Sequence, residues 1–503
     1  MHIINSIVTW RLKKRLHQIE LFAKYPIDVQ TDCLFSLLKD AKNTEWGKRY
    51  AFESIQSLTD FKNRIPLQDY ESIKKDIVRT KNGEKNIMWY SDIKWFAKSS
   101  GTTSDKSKFI PISKEALHAC HYKGGKDMLS LYCNQEEGTQ VFTGKTIMMG
   151  GSSQVDANHR GVRSGDLSAI IVDNLPFWID RYRLPGKEIH LVESWEDKIE
   201  AMANQVIHED ITSFSGVPSW LLVLMERVLQ KSGAQNLKEI WPKLELFMHG
   251  GVRFDPYKNR FDALCSGLNY LETYNASEGF FGIQHERNSS ELLLMLDYGI
   301  FYEFIPMTSF GNDDPVVVSL QDVVIGVNYA MVISTNAGLW RYVIGDTVIF
   351  TCLSPFRIKI TGRTKHFINA FGEELIIDNA EKAIKAACEV TGAVVNEYTV
   401  APLYLQQNQS GRHEWLIEFE KEPESKELFV LALDNTLKSL NSDYEAKRSG
   451  NLLLRSPKVI YIKKGVFYDW LSGKRKIGAQ HKIPRLCNHR EYVDELLLFV
   501  KKS

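Results

Sequence analysis

One run of the chain is dense in groups suited to a polyphosphate: Lys98-Ser99-Ser100-Gly101-Thr102-Thr103-Ser104-Asp105-Lys106-Ser107-Lys108. Hydroxyls and backbone N–H groups can donate to phosphate oxygens, Gly101 lets the backbone approach closely, and Lys108 adds a positive charge. The common P-loop needs a glycine five residues after its first, directly before Lys-Ser/Thr. Here that position is Lys106, so this is not a P-loop. Taken alone, a polar surface loop would look the same.

Four further segments carry chemistry of a matching kind. In Tyr274-Asn275-Ala276-Ser277-Glu278 an aromatic ring can stack on a nucleobase, a hydroxyl can touch a phosphate and a carboxylate can hold magnesium. In Trp340-Arg341-Tyr342-Val343-Ile344-Gly345-Asp346 an aspartate after a glycine can accept both hydroxyls of a ribose. The basic groups of Gly362-Arg363-Thr364-Lys365 can reach a ribose or a phosphate. Gly478-Ala479-Gln480-His481-Lys482-Ile483-Pro484-Arg485 offers a lysine that could meet a developing negative charge. Each segment also has a plain reading: a core tyrosine before a turn, a surface aspartate, solvated basic loops. Lys474, Arg475 and Lys476 lie just upstream of Lys482 and support the last of these. His118, Cys120 and His121 sit close together but lack a nearby fourth ligand for a structural zinc. No motif places a base beside Cys265, which reads as a core thiol.

The elements that must position these residues follow from periodicity. Cys33, Leu34, Leu37, Leu38 and Ala41 recur at helical spacing, ending near Asn43 and Thr44, and the first hundred residues read as mainly helical. From about residue 95 to 350, strands alternate with helices. Strands are expected at 109–112, 146–149, 169–172, 211–214, 244–248 and 270–274, and a helix at 219–230 with Gly233 near its end. Ser113 is positioned to cap a helix. Such alternation argues an α/β class, and in open α/β sheets ligands bind beyond the carboxyl ends of strands, where the polar and glycine-rich residues gather here. Toward the C-terminus a helix is expected within 373–390, strands at 393–400 and 414–419, and a helix at 426–441, a small α+β domain.

Composition bounds the rest. The chain has 503 residues, and length alone suggests roughly two to four domains. With 63 basic and 62 acidic residues its formal net charge is +1, which gives no electrostatic basis for binding nucleic acid. Seven cysteines without a Cys-x-x-Cys read as reduced thiols of a cytoplasmic protein. No apolar stretch reaches the length of a membrane span, and the N-terminal run is too short for a secretory signal.

In their order and spacing the segments resemble the adenylate-forming superfamily of acyl and aminoacyl ligases. More narrowly, the chain resembles the auxin-responsive-promoter ("Gretchen Hagen three") family of acyl acid amido synthetases. That narrower likeness spans nearly the whole chain, including Asn43-Thr44-Glu45-Trp46-Gly47-Lys48-Arg49-Tyr50 and Phe61-Lys62-Asn63-Arg64-Ile65-Pro66-Leu67-Gln68-Asp69-Tyr70, which ordinary acyl-CoA ligases lack. The resemblance implies a large ATP- and acyl-binding domain over 1–362 with mixed sheets and helices, and a smaller, mobile α+β domain over 363–503. It implies that Ser99, Ser100, Thr102, Thr103 and Lys108 hold the β- and γ-phosphates of ATP. It implies Tyr274 on adenine with Gly250 and Gly251 lining that pocket, Ser277 at the α-phosphate, Glu278 on Mg2+, and Asp346 with Arg363 at the ribose. Lys482 matches the catalytic C-terminal lysine. Val217, Pro218 and His249 are expected to line the acyl pocket. The implied reaction is ATP-dependent adenylation of a small carboxylic acid, then transfer of the acyl group to an amine, an amino acid being the expected one, by a cytoplasmic monomer. An acyl-CoA ligase and a non-catalytic adenylate-binding protein are the alternatives. Two departures stand out: Ser104 and Asp105 replace the usual glycines of the phosphate loop, and Lys365 stands where many superfamily members carry a hinge aspartate.

Overall fold

The computed structural model describes residues 2–100, 107–149, 155–157, 161–175, 177–190, 192, 195–252, 254–364, 367–373, 375–404, 411–451, 453–473 and 485–502. The chain divides into two compact units, one built on residues 1–99 and 108–364, the other on 365–503 with Ser100 and Ser107 assigned to it.

Helices open the first unit, as the apolar spacing requires. Pro26–Ala41 buries Leu34, Leu37, Leu38 and Ala41 on one face. Thr44 then caps the short helix Glu45–Arg49 by accepting the Gly47 N–H. Asp69 and Ser72 close a capping box on Tyr70–Lys81. Past this helical layer, among the described residues, lies a twelve-stranded sheet. Its parallel part contains Lys145–Met149, Ile211–Gly216, Leu246–Gly250 and Asn269–Ala276. Its antiparallel part contains Gly279–Gln284, Leu292–Leu294, Phe356–Arg363, Tyr342–Leu353, Asn328–Thr335 and Ile300–Pro306. A second sheet, four-stranded among the described residues, places Ser107–Ile112 at one edge, beside Trp95–Ser100. The class is α/β with mixed sheets.

Most expected elements form. Pro218–Ser232 is helical and ends on Gly233, whose φ of +72° suits glycine. Ser113 caps through its hydroxyl, which accepts the Ala116 N–H at 2.8 Å, but the next stretch, Ala116–Tyr122, is a π-helix that no periodicity announces. One expectation fails. Residues 169–172, read as a strand, lie inside the helix Leu167–Asp173. A four-residue apolar run does not distinguish a buried strand from the inner face of a short helix.

The second unit has its own core, with Trp415, Ile417, Phe429, Leu433 and Tyr444 buried together. Val394–Leu403 pairs antiparallel with Arg412–Lys421, and Lys458–Ile462 adds in parallel. Helices Ile377–Thr391 and Lys426–Leu440 accompany this α+β sheet. No helix among the described residues is long and apolar enough to cross a membrane, and all seven cysteines are free thiols.

Candidate active site

Parallel strands end side by side in the first unit. Their register aligns Met149 with Gly216, Gly216 with His249, and Gly250 with Thr273. Val217, Pro218, Gly250 and Gly251 therefore lie at or just beyond carboxyl ends, where open α/β sheets form their crevice. Gly250 is required sterically: a Cβ there would sit 2.5 Å from the Thr273 carbonyl oxygen. Gly251 has φ +83°, a conformation that favours glycine. His249 is buried and stacks on Phe254 at 4.0 Å. Burial pushes its imidazole down to about 3, so it presents a neutral aromatic wall, with Nδ1 finding no partner among the described residues.

Tyr274 belongs to the strand Asn269–Ala276. Its ring, expected to offer a face to a base, is 6% exposed and packs against Phe281 at 4.8 Å. What it brings to Asp346 is its hydroxyl, which donates to Oδ2 at 2.6 Å. Burial and the Asp346 charge hold this phenol well above its ordinary range, so it stays a donor. Asp346 and Arg363 face each other in register on neighbouring strands, and Arg363 Nε donates to Asp346 Oδ1 at 2.8 Å. Both carboxylate oxygens are thus oriented, while lone pairs remain for further donors, since a carboxylate offers about four acceptor sites.

Ser277 and Glu278 form the turn between this strand and Gly279–Gln284. Glu278 is half-buried. Its removal from water lifts its carboxyl to about 7, with Lys108 pulling it down, Asp346 pushing it up and Arg363 pulling it down. These charges therefore share one field. Lys108 lies on Ser107–Ile112, its ammonium 5.6 Å from the centre of the Tyr70 ring. Ser99 is half-buried near the end of Trp95–Ser100, and Ser100 closes that strand. Thr102, Thr103, Lys365 and Lys482 lie outside the described residues.

The sequence reading gave three neighbours no part in the nucleotide site. Tyr342 is 1% exposed, and burial, then Glu278 and Tyr70, raise its phenol well above the usual range. Tyr70 underlies Lys108. Buried His121, on the π-helical stretch, is held down to about 4 by burial, with the Asn275 side chain acting in the opposite direction. Its neighbour Cys120 accepts the Phe280 N–H at 3.1 Å. These contacts join segments far apart in the chain, so no local pattern could signal them.

Comparison with known proteins follows the same outline. The GH3 family N-terminal domain model matches residues 15–270, the GH3 family central domain model 293–363 and the GH3 family C-terminal domain model 378–491. Indole-3-acetic acid-amido synthetase GH3.3 of Arabidopsis thaliana is 22% identical, with 94% of this chain and 91% of that protein covered. The solved structure of GH3.15 acyl acid amido synthetase superposes with a TM-score of 0.61 at 18% identity, covering 97% of this chain and 96% of that one. A 2-hydroxyisobutyryl-CoA ligase in complex with 2-HIB-AMP and CoA superposes with a TM-score of 0.54 at 15% identity, covering 96% and 93%. At such identities the two structures speak to fold alone.

Proposed function

This chain belongs to the GH3 family of acyl acid amido synthetases, and we propose that the cluster around Asp346, Glu278 and Lys108 is where it adenylates its acid. It is a ligase that forms carbon–nitrogen bonds. An acid's carboxylate attacks the α-phosphorus of ATP, the bond to the bridging oxygen breaks, and pyrophosphate leaves. The amine of an amino acid then attacks the acyl carbon and AMP departs. Adenylation makes AMP a good leaving group on an otherwise inert carboxylate. Positioning and charge neutralisation supply the catalysis, and no covalent intermediate on the protein is needed.

Asp346 is the ribose acceptor, presented by Tyr274 and Arg363. Lys108, with Ser99, Ser100, Thr102 and Thr103, takes the β- and γ-phosphates, and Ser277 the α-phosphate. Gly250 and Gly251 leave room for the adenine at the strand ends. Tyr274 acts there through the edge of its ring and its hydroxyl. Val217, Pro218 and His249 line an apolar, uncharged acyl pocket. Glu278 suits Mg2+: it is one hard oxygen ligand beside a phosphate lysine, and magnesium commonly takes one or two carboxylates plus substrate phosphates. When bound, the ion supplies positive charge across the phosphate oxygens. Lys482, from the second unit, contributes charge during adenylation, and that unit reorients between the half-reactions. The protein acts as a monomer, and free thiols suit the cytoplasm.

The observation that carries this reading is the Tyr274–Asp346–Arg363 arrangement beside the Glu278–Lys108 pair of charges. Its test is exchange of labelled pyrophosphate into ATP across a panel of aryl, indolyl and alkyl carboxylates with magnesium. The acid that supports exchange is then incubated with mixed amino acids or with coenzyme A, and products are read by mass spectrometry. An amide is expected. A thioester with no amide would establish the acyl-CoA ligase reading, and ATP binding without exchange by any acid would establish the non-catalytic one.

A further inference from the structure

Residues 61–70 have no part in the adenylation scheme above. The structure threads them between two halves of the candidate site. Gln68 forms a parallel bridge to Tyr342. Its N–H donates to the Arg341 carbonyl at 2.9 Å, and its own carbonyl accepts the Val343 N–H at 2.8 Å. This splices the segment onto the start of the strand that carries Asp346. Arg341 is pinned in turn: it has φ +43°, its guanidinium pairs with buried Glu303, and it also donates to the carbonyls of Lys62 and Ile65. Asp69 then caps the helix Tyr70–Lys81, accepting the Ser72 N–H at 2.9 Å, which sets Tyr70 at the first helical position.

From there Tyr70 reaches the strand of Lys108. Among the described residues Ser107–Ile112 is the edge of its sheet, and an edge strand presents N–H groups that no neighbouring strand can take. The Tyr70 hydroxyl takes one, accepting the Phe109 N–H at 3.0 Å. The adjacent Lys108 ammonium lies over the ring at 5.6 Å, within cation–π range. A lysine side chain is long and rich in rotamers. Here its backbone is tied at the next residue and its head group has an aromatic face beneath it.

We propose that Tyr70 is a positioning residue that aims Lys108 at the β- and γ-phosphates of ATP, and that residues 65–70 are the strut setting the distance from Lys108 to Asp346. The proposal rests on the phosphate role given to Lys108 above. Tyr70 touches neither substrate nor reacting atoms and acts only through that lysine.

Equilibrium titration of the full chain with Mg·ATP and, separately, with AMP tests it without knowing the acid. Tyr70→Phe keeps the ring and removes the hydroxyl. It should weaken ATP about five- to tenfold while AMP affinity stays within about twofold, because the lost interaction is one charge-aiming hydrogen bond and AMP lacks the distal phosphates. Tyr70→Leu should weaken ATP further with AMP still unchanged. A purely structural role would move both nucleotides together. Lys108→Ala should lower ATP affinity selectively, and adding Tyr70→Phe to it should change nothing more, since residues acting as a unit are not additive. An unchanged ATP-to-AMP ratio in Tyr70→Phe, or additive losses in the double variant, overturns the positioning role while leaving the Lys108 assignment standing. An unchanged ratio in Lys108→Ala removes the assignment itself and this proposal with it.

Discussion

Glu278 carries the tension between stability and function in a single side chain. Its carboxyl, ordinarily near 4.5, sits at about 7 because it is withdrawn from water, with Lys108 compensating only in part. The folded protein therefore keeps a proton that the unfolded chain releases, and stability falls as pH rises from about 4.5 through 7. Glu278→Gln removes that penalty. Without ATP or magnesium, the variant should be more stable than the parent at pH 8 by about 1–2 kcal/mol, a figure reduced for solvent screening of a half-buried group. At pH 5 the gap should shrink toward zero, and pyrophosphate exchange should be lost at both. Melting curves with the same offset at both pH values would show that the carboxyl is not held in its neutral form. Asp346 offers a complementary test. Asp346→Asn keeps the shape but removes the charge that faces Arg363 and any ribose hydroxyls. Since hydrogen bonds to charged groups contribute about 1.5–3 kcal/mol, ATP affinity should fall about ten- to a hundredfold. Unchanged affinity in a folded variant would remove Asp346 from the nucleotide site.

At the scale of elements, the close approach of two parallel strands is set by a missing side chain. A Cβ on Gly250 would meet the Thr273 carbonyl oxygen at 2.5 Å and the Thr273 hydroxyl at 2.9 Å. Backbone is on the receiving side, so the strand carrying Tyr274 would have to shift. Gly250→Ala should cost about 1–3 kcal/mol, the usual range for overpacking, and should weaken ATP as well. Gly125 makes the contrast. It lies in the helix Lys123–Gln135, and a Cβ there meets nothing within 4 Å. Gly125→Ala should raise stability by about 0.5–1 kcal/mol through helix propensity and leave ATP binding alone. Chemical denaturation of both variants, with nucleotide titration, reads the difference. A neutral Gly250→Ala would mean the strands have slack that the structure does not show.

At the scale of the whole molecule, the two units have separate hydrophobic cores, the anatomy of domains that can fold as bodies. The proposed division of labour puts nucleotide and acid on the first and Lys482 on the second. Removing one preorganised donor at a reacting centre typically costs about 10²–10³ in rate. Lys482→Ala should therefore slow adenylation by that order yet spare amide formation from a supplied acyl-adenylate, whereas Lys474→Ala and Lys476→Ala should have small effects. Single-turnover kinetics of each half-reaction separate the cases. Equal impairment of both half-reactions by Lys482→Ala would remove the support for alternation, and a defect in Lys474→Ala or Lys476→Ala instead would relocate the catalytic lysine.

What was legible in the sequence is what depends on neighbours along the chain. Helical spacing placed Leu34, Leu37, Leu38 and Ala41 on one face, and apolar runs marked strands ending near Gly216, Gly250 and Ala276. The glycines and polar residues after those strands pointed to a ligand-binding edge, and the order of the motifs pointed to adenylation. Local pattern failed where two elements bury equally well, as at 169–172, and gave no sign of the π-helix at Ala116–Tyr122. Tertiary structure alone decided which chemical groups meet. The Tyr274 hydroxyl finds Asp346, Arg363 faces it across a ladder, and Tyr70 reaches the edge of the Lys108 strand. Those pairings are set by strand register and by how a separate helical layer packs, which depend on residues distant in the chain. The same packing buried the Tyr274 ring and aimed its hydroxyl at Asp346, and it raised the Glu278 carboxyl to about 7, because burial is a property of the assembled fold and not of any segment within it.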